Sequence, residues 1–242
     1  MPGNLDNHDS PLKAAIIDQL CLLEPNPELI AQTTQILENS GFHVDVWQGE
    51  DITVDFLRNL PNYNYKLVIF RAHLGTECLV NVNDPSDVIS MQTTGLFTGE
   101  TYSTNKYFID QMSDSVYQGV MAGTYPPVFT ISPKFVREGS NGKYNDTMII
   151  MMGCISLYHD DLAKSFIDKG ASAYVGWSAT VTLNQVDKII PVLTSRLCVE
   201  KLPISLAILQ TMNELGRDPY FNAGLRYFPA EVGKETIIEL IR

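Results

Sequence analysis

The sequence predicts an α/β protein, a three-layer α/β/α sandwich around a mainly parallel sheet. Three observations carry that expectation. Short apolar runs of strand length alternate with helical repeats from Ala14 to Ala72. The runs are apolar at nearly every position, as strands covered on both faces are. After a long polar interruption, the same alternation resumes at Thr147.

Ala14 to Leu20 (AAIIDQL) is too short for a helix and suits a buried first strand. Pro27 behind Asn26 marks a helix start, and Leu29, Ile30, Thr33, Ile36 and Leu37 repeat at helical spacing until Gly41 stops them. His43 to Trp47 follows as a second strand. Thr53 can cap a short helix carrying Phe56, Leu57 and Leu60, and Pro61 ends it; Tyr65 to Ala72 (YKLVIFRA) is a third strand. Residues from about 76 to 145 are rich in Gly, Thr, Ser, Asn and Tyr, with short apolar runs such as Val128 to Ile131, and form an insertion with hairpins. Thr147 to Met152 (TMIIMM) is the most apolar run of the chain. Leu157, Leu162, Phe166 and Ile167 then mark a helix closed by Gly170. Ala173 to Gly176 is a fifth strand, Leu183 to Glu200 and Ile204 to Leu215 are helical, and Leu225 to Phe228 and Thr236 to Ile241 offer one or two more strands. With no repeat or linker between these elements, residues 1–242 are expected to form one domain behind a polar leader of about residues 1–11.

The 242 residues are 45% hydrophobic and 19% charged, enough to bury a core and far from the composition of a disordered chain. A net charge of −11 counts against nucleic acid as a partner, which calls for a basic stripe. No apolar run approaches the roughly 20 residues that cross a bilayer, so a membrane partner is not expected. The four cysteines, Cys21, Cys78, Cys154 and Cys198, show no C-x-x-C pair and no zinc-type spacing; they read as separate thiols in a reducing compartment, the cytoplasm, with no metal bound.

Two residues stand where an open parallel sheet gathers its chemistry, at the carboxyl ends of strands. His73 follows Tyr65 to Ala72, and Cys154 follows Thr147 to Gly153. Neighbouring strands would bring imidazole and thiol to one rim, the pairing that amide hydrolysis uses: the sulfur attacks and the imidazole protonates the leaving amine. Gly153 permits a sharp exit from its strand, and Gly75 loosens the chain after His73. The N–H of Cys154, with one from Leu74 or Gly75, can form an oxyanion hole.

The segments KLVIFRAHLG, MIIMMGCISL and LAKSFIDKGASAYVGWSAT, in that order and at strand ends, resemble the caspase-like cysteine peptidases, a superfamily that includes caspases, metacaspases, clostripain, gingipains and CHAT-type peptidases. With the first strand they span Ala14 to Thr180. The resemblance implies that Cys154 is the nucleophile, that His73 is its acid/base partner, and that no cofactor is needed for acting on a peptide or protein substrate. It also implies that Asp18, Trp177 and Ser178, just after the first and fifth strands, line the pocket for the substrate's P1 side chain. An acid at Asp18 would suit Lys or Arg. The chain departs from the family pattern where Leu74, rather than Gly, follows His73, where Ile155 follows Cys154, and in the length of its insertion. A caspase-like module without turnover is the alternative these departures leave.

Blander roles compete for each residue. A Cys closing an apolar strand ordinarily packs as a small hydrophobe, and a single Asp more often caps a helix or loop than binds substrate. His159 competes with His73 as partner from the start of the following helix. Asp84, Asp87 and Glu100 lack the spacing of a calcium loop. A flavodoxin-like ligand domain is disfavoured because Ile17-Asp18-Gln19-Leu20 offers no Gly-rich phosphate loop.

Overall fold

The computed structural model describes residues 12–81, 84–120 and 126–242, with the backbone alone for 77–81 and 84–92. The polar leader with His8, and the side chains of Cys78, Asp84 and Asp87, lie outside the described residues.

The chain is a mixed α/β protein. Strands β1 (Leu12–Asp18), β2 (Phe42–Gln48), β3 (Leu67–Arg71), β8 (Thr147–Met152), β9 (Ala171–Trp177) and β10 (Leu225–Phe228) form one sheet in the order β10-β9-β8-β3-β1-β2. All neighbours pair in parallel except β10, which runs antiparallel along β9. Helices α1 (Pro27–Asn39), α2 (Val54–Asn59), α4 (Asp161–Asp168), α5 (Leu183–Cys198) and α6 (Ile204–Leu215) cover its faces.

The near-continuous apolar runs are explained by two separate cores, one on each face. Alternate residues of each strand feed them. Ala14, Ile16, Leu67, Ile69, Met148 and Ile150 pack with Leu29, Val186 and Ile208 on the face of α1, α5 and α6. Ala15, Ile17, Val68, Phe70, Ile149 and Met151 pack with Phe56, Phe129 and Phe166 on the other. Asn26 caps α1 by accepting from Leu29 N at 3.1 Å, and Thr53 caps α2 by accepting from Phe56 N at 3.0 Å.

Between β3 and β8 the insertion builds a second, antiparallel sheet from β4 (Leu74–Asn81), β5 (Asp84–Thr101), β6 (Val116–Gly119) and β7 (Val128–Ile131), in the order β4-β5-β7-β6; a five-residue helix α3 (Phe108–Met112) precedes β6. Leu74, Leu96, Val116, Phe129 and Ile131 join the second core, so this sheet packs onto the face of α2 and α4.

Two expected elements differ. Leu157 lies in a turn, its N–H bound to Trp177 O at 2.8 Å, so α4 starts later, at Asp161; Gly170, with φ +104°, closes it as expected. The segment expected as a last strand forms a short helix α7 (Ile237–Leu240). Thr236 and Glu239 make a reciprocal capping box that stabilises a helical start over an extended one.

Candidate active site

The carboxyl ends of β3 and β8 deliver His73 and Cys154 to the same place. The two strands pair in register to Arg71↔Met152, and two residues beyond that rung on each chain stand the imidazole and the thiol. Both line one cavity of about 450 Å³.

The turn around Cys154 is held tightly. A Cβ on Gly153 would sit 2.2 Å from Ala72 O and 2.3 Å from Leu74 Cδ1, so only glycine lets the β8 exit pass this close to the β3 exit. Ile155 then takes φ +53°, a left-handed conformation that is costly for a β-branched residue. Bonds to the β9 side hold it there: Ile155 N donates to Ala179 O at 2.9 Å, and Ser156 Oγ accepts from Trp177 N at 2.8 Å. Strain stored beside the thiol is a feature of functional turns.

Cys154 Sγ donates to Val181 O at 3.4 Å. That carbonyl is steadied through its neighbour Thr182, whose N–H and hydroxyl both donate to Asp218 Oδ2, at 2.8 and 2.7 Å. Burial pushes the Cys154 thiol above its ordinary pKa against the lowering effect of backbone hydrogen bonds at Val181 and at Cys154 itself, and the Asp218 charge adds to the rise.

His73 is half-buried and fixed by its backbone: its N–H donates to Gln19 Oε1 at 2.9 Å, and its carbonyl accepts from Phe97 N at 3.1 Å. Phe97 also meets the imidazole edge-on. Nε2 is buried without a hydrogen-bond partner. Burial, and then the charge of Arg71, lower the His73 pKa below its usual value, so the imidazole is neutral at neutral pH. The resting pair is thiol and imidazole.

Of the expected oxyanion donors, Leu74 and Gly75 begin β4, opposite Leu96 and Gly95. Because Phe97 N bonds His73 O, antiparallel alternation commits the Gly75 N–H to the ladder and turns the Leu74 N–H away from β5. Gly75 packs under the Phe97 ring instead of loosening the chain.

The expected P1 residues sit elsewhere. Asp18 is fully buried, and its carboxylate receives Arg71 Nη1 at 2.8 Å, Cys21 N at 3.1 Å and Gln48 Nε2 at 3.3 Å. Trp177 is a fully buried core residue, and Ser178 pairs with Gly224 through both its backbone and its hydroxyl. None of the three is on the cavity wall, which is made by Leu20, Leu23, Glu24, Met152, Val181, Leu183 and Val186 around the His73 and Cys154 ends. His159 stands in the turn before α4 and does not reach the cavity.

No family model matches the chain, and no curated protein matches it. The organising residue that sequence reasoning missed is Arg71, 1% exposed, which binds Asp18, Asp187 through Nε at 2.7 Å and Nη2 at 3.0 Å, and Glu24 O at 3.0 Å. Its signal was present: a cation inside the apolar run YKLVIFRA has to find buried partners. Gln19 and Val181, which hold the two candidate groups, carried no comparable signal. Among the described residues, no group of three or more His, Cys, Asp or Glu is gathered to hold a metal ion, and no helix is long and apolar enough to cross a membrane.

Proposed function

We propose that the chain is a cysteine endopeptidase of caspase-like form, acting on peptide or protein substrates in the cytoplasm. One observation carries the reading: a thiol and a neutral imidazole, delivered by adjacent paired strands, share the wall of a single cavity. With substrate bound, the Cys154 proton passes to His73 as sulfur attacks the carbonyl carbon. The oxyanion is held by the N–H groups of Cys154 and Leu74. Imidazolium then protonates the departing amine as the C–N bond breaks, leaving a thioester. Water, deprotonated by His73, cleaves the thioester and restores the thiol. Neither a metal nor an organic cofactor enters these steps.

The test is hydrolysis of a fluorogenic peptide mixture by the full chain and by Cys154→Ala. Activity in the parent that falls by about 10³-fold or more in the variant is expected; equal activity in both overturns the assignment.

One observation favours a second reading, a caspase-like interaction module without turnover. Burial moves the Cys154 pKa up and the His73 pKa down, away from a resting thiolate–imidazolium pair. A chain that binds peptide but releases no product with any member of the mixture identifies that module.

A further inference from the structure

We propose that the cavity beside Cys154 selects an apolar P1 side chain, Leu or Met, over Lys or Arg. The inference rests on the peptidase reading and names the substrate class of that site.

The walls decide the chemistry. A side chain adjacent to a carbonyl attacked by Cys154 enters a space bounded by Leu20, Leu23, Met152, Val181, Leu183 and Val186. Leu20, Met152, Val181 and Val186 are buried and form the floor, while Leu23 and Leu183 are partly exposed. An alkyl or thioether side chain gains from displacing water here. A Lys ammonium or Arg guanidinium loses its hydration and, apart from the His73 imidazole that the reaction itself uses, meets no buried acceptor side chain on the wall.

The two carboxylates that would suit a cation are already taken. Asp18 and Asp187 both bind Arg71, and neither is on the cavity wall. Glu24 is the one acidic residue of the lining; it is exposed, and its carbonyl, not its carboxylate, is the group Arg71 holds. Arg71 also fixes the shape of the pocket. By binding Glu24 O and Asp187 from the end of β3, it ties the loop that carries Leu20 and Leu23 to the helix that carries Leu183 and Val186, so the two apolar walls stay at a set separation.

The experiment uses peptidyl acyloxymethyl ketones identical except at P1, where they carry Leu, Met, Phe, Asp, Lys or Arg. Cys154 sulfur displaces the acyloxy carboxylate from each and leaves a thioether, and the adduct is located by mass spectrometry. On the full chain, Leu and Met probes are expected to inactivate about 10²-fold faster than Lys and Arg probes, the discrimination an apolar pocket provides. The Leu183→Glu variant places a carboxylate in the wall at the first turn of α5, where the helix dipole favours an acid, and is expected to narrow or reverse that ratio. In Glu24→Gln the ratio should stay the same.

Faster modification by Lys or Arg probes, above all if Glu24→Gln abolishes it, overturns the apolar assignment while the Cys154 adduct keeps the peptidase reading. An Asp probe reacting fastest does the same. Failure of every probe to modify Cys154, with the same thiol still alkylated by iodoacetamide, overturns the peptidase reading and this inference with it.

Discussion

The sheet has two pairs of strand ends at the same rim, and they do different things. The inner pair, β3 and β8, sends His73 and Cys154 into an open cavity. The flanking pair, β1 and β9, sends Asp18 and Trp177 into the interior, where both are fully buried. Strand-end placement is common to all four residues, so placement alone does not make a site. What separates the pairs is access: His73 and Cys154 line the cavity, and Asp18 and Trp177 do not. Asp18 is taken up by Arg71, Cys21 N and Gln48, while Trp177 is packed into the core. A group walled into the interior builds the scaffold, and one on a cavity wall is available for chemistry.

The largest effect that tests this contrast is on the inner pair. His73→Ala is expected to lower peptide hydrolysis about as far as Cys154→Ala, by about 10³-fold or more, with the urea midpoint of unfolding little changed. A large stability loss with retained turnover would assign the inner pair to the scaffold as well. Next comes Arg71→Met. It strands two carboxylates in the interior, and breaking a buried ion pair from one side costs about 3–5 kcal/mol, read by urea unfolding. Trp177→Phe should cost about 1–3 kcal/mol through the space it leaves, with the order of P1 preference unchanged. A changed preference would bring Trp177 back to the pocket.

The smallest expected effect is on acid stability. The folded-state pKa of His73 lies below its unfolded value, so the unfolded chain binds the extra proton first. The stability contributed by the neutral imidazole is present above about pH 6.5 and is lost as pH falls below that value through the folded pKa. In His73→Gln this part of the decline disappears. A variant whose unfolding midpoint still falls as steeply between about pH 7 and pH 5 would show that other groups govern the acid limb.

Much of the parallel sheet was legible because burial on both faces imposes near-continuous apolar runs. TMIIMM became β8 residue for residue, and Ile204–Leu215 became α6 with the same bounds. The ends were less legible. Thr236 to Ile241 is short and apolar enough to pass for a strand, and a side-chain capping box starts it as a helix. At the rim, the sequence identified which residues stand at strand ends but not where their side chains point. Asp18 was attributed to the pocket because nothing local reveals that an arginine 53 positions away occupies it. The hold of the Val181 carbonyl on Cys154 is a main-chain contact across 27 residues, and residue type at Val181 carries no trace of it.

His73 lies between two sheets: the chain leaves β3 of the parallel sheet at Arg71 and enters β4 of the antiparallel one at Leu74. Its amide is tethered to Gln19 beside β1, and its carbonyl to Phe97 on β5. The residue is therefore clamped at the seam of the two sheets, its amide held from the side of one and its carbonyl from the other, so the position of the imidazole depends on both sheets being folded.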